Sequence, residues 1–396
     1  IASSDRTLVV CRGSQIFAEG TAQNPIIFTS MDDYNHRTDP TNFPNAPQIG
    51  DNGQWGGVII LGNAPINFYV SGNPFTGATT GNTNLGENKI EGIPSGADLD
   101  FDGFGDLIEY GQDNGKASSG TATLTAGTAN PADNSGVFKY VSIRFGGQAI
   151  AQDDEVNGLT MGGVGSGTTI EHVEVFNNSD DGFEWFGGTV NCKNLVAAFN
   201  EDEAFDMDEG YAGTIQFAFA IREDFPDGSN TVENVSELDG GNGSSKTGTP
   251  LTSAKVYNAT LLGAGRTGAV SSQGTLFRMK DNYAGQWHNS VFDDFGGNLV
   301  RIDDTNTAAR VGTELLVNNS TWGRFNGVAA EGQTSAANAL IAQTGNSAVN
   351  TDPQLRGVSR TNNGGLDPRP LANSPLLSAS LSPVPAGLET VSYRGA

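Results

Sequence analysis

Hydrophobic and polar residues alternate in short runs along this chain, and the runs end at Gly, Asn or Asp. Val137-Phe138-Lys139-Tyr140-Val141-Ser142-Ile143-Arg144-Phe145, closed by Gly146-Gly147, is one of them. A period of two bounded by turn formers predicts β-strands. No window combines helical periodicity with caps; only Ala329 to Ala348 reads as a short helix or a loop.

Three segments between Asn157 and Gln216 repeat nearly the same pattern: Asn157 to Gly163, Asp181 to Val190, and Glu203 to Gly210. Leu159, Phe183 and Phe205 align as apolar anchors, 24 and 22 residues apart. Gly167, Gly188 and Gly213 align as the openings of the Gly-Thr strands that follow, 21 and 25 residues apart. A unit this short cannot bury its own apolar face, so a repeat of this period means stacked coils. A leucine-rich repeat of similar length needs a leucine consensus, which is missing, and a propeller blade needs about 40 residues or more. The expected fold is therefore all-β: a right-handed parallel β-helix, a solenoid with loop insertions, forming one domain over 1–396. The insertions fall at 94–135 and at 223–253, the latter Gly/Ser-rich. Residues 31–53 and 71–89 read as irregular loops. An irregular segment and extended tail fill 327–396.

Composition sharpens this. The 54 glycines suit a chain that turns several tight corners per coil. A net charge of −24 argues against nucleic acid and anionic membrane surfaces and favours cations. No apolar run is long enough to span a membrane. Cys11 and Cys192 fall several coils apart in a stacked fold, beyond disulfide reach, and read as small core residues.

Several stretches carry a resemblance. Pro25-Ile26-Ile27-Phe28-Thr29-Ser30, Trp55-Gly56-Gly57-Val58-Ile59-Ile60-Leu61-Gly62, Glu155-Val156-Asn157-Gly158-Leu159-Thr160 and Asp180-Asp181-Gly182-Phe183-Glu184 are among them, with the closing Tyr393-Arg394-Gly395-Ala396. In these the chain resembles a large family of secreted bacterial right-handed parallel β-helix proteins, many of which carry a type IX secretion sorting domain after the helix. The resemblance implies the fold and an extracellular or cell-surface location rather than an activity. Ile1-Ala2-Ser3-Ser4 reads as a processed N-terminus. The absence of a sorting domain after Ala396 fits processing or truncation there.

The strongest local motif is Asp98-Leu99-Asp100-Phe101-Asp102-Gly103-Phe104-Gly105-Asp106-Leu107-Ile108-Glu109. It matches the twelve-residue calcium loop at each ligand position: Asp98, Asp100, Asp102, the Phe104 carbonyl, Asp106 and a bidentate Glu109, with Gly103 at the sharp turn. The flanking helices of a paired calcium hand are missing, so an isolated Ca²⁺ loop is expected. A second candidate is a column. Aligning the three anchors stacks Thr160, Glu184 and Asp206 on one outward position. It stacks Asn157, Asp181 and Glu203 on another, with Val156, Asp180 and Asp202 beside it. Carboxylates about 5 Å apart repel unless a cation or proton intervenes. A second Ca²⁺ site (Asp181, Glu184, Glu203, Asp206), an enzymatic acid pair and a solvated acidic face all fit this pattern.

An enzyme acting on polysaccharide could use Asp180, Asp181, Glu184 and Asp206 as a hydrolase, or Arg144, Lys193 or Arg222 as the base of a lyase. Trp55, Trp185, Trp287 and Trp322 could stack sugars. His36, His172 and His288 share no motif. The reading these features favour is a secreted calcium-binding structural or adhesive protein. It includes end-to-end self-association into a filament if neither end of the solenoid is capped. The rival is a polysaccharide-active enzyme or glycan-binding module.

Overall fold

Strands that alternate apolar and polar residues bury one face only if other strands cover it, and here the chain covers itself by winding. The structure is a computed structural model that describes residues 6–67, 87–90, 93, 109–111, 129–149, 156–222, 234–241, 249–266, 274–361 and 363–396, without the side chains of 87–89 and 109. Two long parallel sheets run its length. The first has nine strands, in the order Leu8–Val10, Val58–Leu61, Leu159–Gly162, Phe183–Phe186, Phe205–Asp208, Ser236–Asp239, Thr275–Lys280, Asn298–Ile302 and Ala330–Gly332. The second has eleven. Its main path runs through Ile16–Glu19, Gly136–Arg144, Thr169–Phe176, Cys192–Ala198, Thr214–Ile221, Lys255–Leu262, Gln286–His288 and Leu316–Asn318. Each strand of the first sheet except the last, Ala330–Gly332, is followed along the chain by one of the second, so successive coils stack in parallel as a β-helix.

The register of the first sheet is the one the anchors predict: Leu159 pairs with Phe183 and Phe183 with Phe205. These residues, with Met161, Trp185 and Met207, are buried between the sheets against Ile170, Val173 and Leu195. The glycine alignment does not hold. Ile170 pairs with Cys192 and Cys192 with Ile215, which shifts Gly188 by one residue against Gly167 and by two against Gly213. Strand registers are fixed by core packing, whereas the turns between them absorb extra residues freely.

Long strands of the second sheet bend at one residue per coil. Tyr140, His172, Asn194, Phe217, Asn258, Asn289 and Asn319 form a column of left-handed backbone, with φ between 50° and 64°. The ladder breaks there: Lys139 pairs with Glu171 and Val141 with Val173, with no pair at the intervening position. This corner turns each coil without a loop.

Three helices were not legible as periodic patterns or were only hinted at. The 31–53 loop contains α1 (Met31–Thr38), whose N-cap Ser30 accepts from the Asp33 amide and whose first turn holds Asp32 and Asp33. It is too polar to show an apolar stripe. α2 (Thr305–Arg310) is capped by Asp304. α3 (Thr334–Ile341) lies where the helix-or-loop segment was expected and buries Ala337, Leu340 and Ile341 in the main core. Trp322 Nε1 donates to the Ile341 carbonyl at 3.1 Å, and α3 packs on the last strands of both sheets. The C-terminal end of the core is thus covered, so the condition set for end-to-end stacking, that neither end be capped, is not met at this end.

Beyond α3 the chain returns along the outside of the second sheet as the expected extended tail. Gln216 exchanges two bonds with the backbone of Glu389, and Asn289 two with that of Ser382. Arg394 is 4 % exposed and donates to the carbonyls of Ser320, Gly345 and Ser380. No disulfide forms between the cysteines: Cys192 is buried as predicted, while Cys11 is only half-buried.

Candidate metal centre

Glu184 and Asp206 occupy one register position of adjacent strands, after Thr160. Asp181 and Glu203 stand just before those strands, where Gly158 N donates to the Asp181 carbonyl and Gly182 N to that of Glu203. Because the flanking Phe and Trp residues point inward, the acids point away from the core. They are nevertheless not a solvated face: Asp181, Glu184 and Glu203 are only 5–6 % exposed.

Carboxylate oxygens of Asp181, Glu184 and Asp206 all lie within 4.8 Å of one another, and so do those of Asp180, Asp181 and Asp202. Two oxygens that each sit about 2.4 Å from one Ca²⁺ can be at most about 5 Å apart, so either triad matches a shared cation. Asp202 Oδ1 and Asp206 Oδ1 are buried without a hydrogen-bond partner, as a cation ligand would be. Glu203 is used differently: its Oε1 accepts from the Asn234 backbone and side-chain amides at 3.2 and 2.8 Å. Asn157 Nδ2 donates to Glu184 and orients it.

The electrostatics follow from this crowding. Burial and the charges of Glu203, Asp206, Asp180 and Asp202 raise the Asp181 pKa well above the carboxylate range. Burial, with Asp239, Glu203 and Asp208, does the same to Asp206, and Lys280 offsets only part of it. Asp202 is pushed to about 8 by burial and by Glu203, against the pull of Arg222. Further along the same sheet the charges pair off: Lys280 bridges Glu237 and Asp239, and Arg278 bridges Glu237 and Asp303. The column therefore passes from crowded carboxylates to compensated ones within two coils.

The loop ligands Asp98, Asp100, Asp102, Phe104 and Asp106, and the Glu109 side chain, lie outside the described residues. The base of that insertion is placed. Glu87–Lys89 and Glu109–Gly111 pair antiparallel, so residues 87–89, read as loop, are a strand. Tyr110 packs its ring where a Cβ on Gly162 would sit, and its hydroxyl donates to Glu209 Oε2 at 2.8 Å. The hairpin is thereby docked on the outer face of the first sheet at Glu209, the residue after Asp208.

The residues considered for an enzyme are committed elsewhere. Arg144 pairs with Glu174 and Lys193 with Glu389, both on the second sheet. Arg222 lies beside the acids, but its guanidinium donates to the carbonyls of Glu201, Asp202 and Asn234. The four tryptophans are at most 3 % exposed, too buried to present a ring face to a sugar. His288 is buried against Tyr257 and its pKa falls to about 4; His172 stacks on Tyr140. His36 Nδ1 lies 2.9 Å from the Phe43 carbonyl.

A stacked parallel solenoid with crowded carboxylates on one sheet is the class that fold and site define. The chain belongs to the family of pectate-lyase-like β-helix domains, whose model matches residues 1–93 and 103–363. The internal stretch between the two matched parts, 94–102, holds three of the loop aspartates. Neither a curated protein nor a solved structure matches the chain.

Proposed function

We propose that this chain is a secreted, calcium-binding β-helix with a structural or adhesive role at the cell surface. One Ca²⁺ sits between coils on Asp181, Glu184 and Asp206, with Asp180 and Asp202 alongside. A second sits in the loop of Asp98, Asp100, Asp102, Phe104, Asp106 and Glu109. The observation that carries this is the set of buried and half-buried carboxylates whose oxygens lie within 4.8 Å of one another on neighbouring coils. A cation there ties coils together and cancels repulsion that otherwise opposes stacking. Because α3 covers the C-terminal core, head-to-tail stacking of coils is not the route of self-association in this reading; cation bridges between acidic surfaces are.

The test is calcium titration by calorimetry on the full chain, on Asp181→Asn and on Glu109→Gln. Two binding events are expected in the parent and one in each variant. An Asp181→Asn variant that titrates like the parent removes the inter-coil site.

The family match keeps a polysaccharide-active reading in play. The geometry favours it less, because the candidate bases Arg144, Lys193 and Arg222 are engaged. Cleavage of a neutral or acidic glycan that disappears in Asp181→Ala would establish it.

A further inference from the structure

Both long sheets begin in one coil, residues 8–28, and among the described residues no strand lies beyond it. Leu8–Val10 pairs only with Val58–Leu61, and Ile16–Glu19 and Ile26–Phe28 only with Gly136–Arg144. The amides of Leu8, Ile16 and Gly20 donate toward the second coil, to the carbonyls of Gly57, Ser135 and Lys139. Main-chain groups alternate sides along a strand, so those of Val9, Phe17 and Glu19 point out of the end.

The core is cut at the same place. Leu8, Ile26 and Phe28 are half-buried, whereas Val58, Val141 and Ile143, their partners one coil on, are at most 2 % exposed. On the outer side of the first coil Phe17 is 64 % exposed, more than any other large apolar side chain among the described residues. α1 follows this coil but has no packing on its strands comparable to that of α3 on the last ones.

A free strand edge invites another, and the charges favour a second copy of the chain. Residues 7–30 carry one base, Arg12, and one acid, Glu19, in a chain of net charge −24. Two copies can meet at this coil without the repulsion that the acidic surface imposes elsewhere. One coil also has the size, since a standard interface uses about 20–30 residues a side. The C-terminal end is covered by α3, so the contact joins like ends and closes on itself instead of growing a filament.

We infer that two copies of this chain join first coil to first coil around a two-fold axis, with Ile16–Glu19 pairing antiparallel to its counterpart and Phe17 on the axis. A two-fold axis across the stack reverses strand direction, so the two edges meet antiparallel. Both main-chain groups of Phe17 face the edge, so this residue and its counterpart exchange two hydrogen bonds. Their rings lie side by side on the outer face, with about 5.5 Å between Cα atoms. The same register sets Glu19 opposite Gln15 of the other copy and not opposite a second carboxylate. This pair needs no calcium and is separate from the cation-bridged association proposed above.

Sedimentation of the full chain over a wide range of concentration, with calcium and with chelator, tests it. A dimer is expected in both, with nothing larger in chelator. Phe17→Lys sets two like charges against each other on the axis and is expected to weaken the dimer by about tenfold or more. Its circular dichroism should match the parent's, because the side chain is mostly in water within one copy. Val328→Lys, at the other end and 53 % exposed, should dimerise as the parent does. In a Cys11→Ser background, Phe17→Cys should cross-link to its counterpart under mild oxidation, since about 5.5 Å between Cα atoms suits a disulfide. The proposal is overturned if the parent is monomeric throughout, or if Phe17→Lys dimerises as tightly as the parent. A dimer that falls apart in chelator belongs to the cation bridges and overturns it too, as does a dimeric Phe17→Cys chain that does not cross-link.

Discussion

Asp181 shows how one side chain can be unfavourable alone and useful with a partner. It is buried among Asp180, Asp202, Glu203 and Asp206, and each of those charges raises its pKa. Asp181→Asn keeps the shape and removes one charge. It is expected to raise the melting temperature in chelator and to abolish the gain that calcium gives the parent, read by paired thermal melts. A variant less stable than the parent under both conditions would mean that the carboxylate serves packing rather than cation binding. Trp185 is the opposite case. It is fully buried, stacked on Tyr211 at 5.2 Å between ring centroids and close to Phe183 and Phe205. Trp185→Ala should cost about 3–5 kcal/mol in denaturant unfolding, from lost burial plus the cavity left behind.

Among elements, α3 and the tail do what no strand does: they cover the core's end and one outer face. Leu340 is wholly buried where α3 meets the last coil. Replacing it with Ala should cost about 2–5 kcal/mol. The tail is held differently, by polar bonds to backbone. Arg394 ties it to Ser320, Thr321 and Gly345, and Gly395 lies so close to Thr260 that a Cβ would sit 2.6 Å from its Oγ1. Arg394→Ala leaves buried carbonyls without their donor, at about 1–3 kcal/mol. The expected result is selective proteolysis of the tail while the strands stay protected. Cleavage rates equal to the parent's would show that the tail is held by its other bonds.

For the whole molecule, the sheet's two charge regimes set the pH response. A carboxyl that holds its proton more tightly folded than unfolded stabilises at low pH. For Asp202, at about 8 when folded, that contribution is complete below about 4 and is lost as pH rises through about 8. His288 acts oppositely: its folded pKa of about 4 favours folding above about 6.5 and is lost as pH falls from there. Among the described groups with a resolved shift, the acidic cluster gives the main change between about pH 6.5 and 8. The melting temperature in chelator is therefore expected to fall across that window, and calcium should flatten the fall by binding the deprotonated cluster. A curve with the same slope in the parent and in Asp202→Asn would exclude the cluster as its source.

The spacing of apolar residues was enough to stack Leu159, Phe183 and Phe205, because a coil can lie on its neighbour only with apolar residue over apolar residue. That register placed Glu184 over Asp206 and Asp181 before Glu203, so most of the cluster was legible from spacing. Its burial was not, since whether an outward residue meets water depends on what the rest of the chain lays over it. Nor was the part played by Glu203, which Asn234 of the next coil draws away. The glycine alignment failed because turns tolerate added residues that strands do not. The aromatic corner escaped notice because φ is a property of the wound chain: Tyr140, His172 and Phe217 look like ordinary strand residues until the fold turns each of them left-handed.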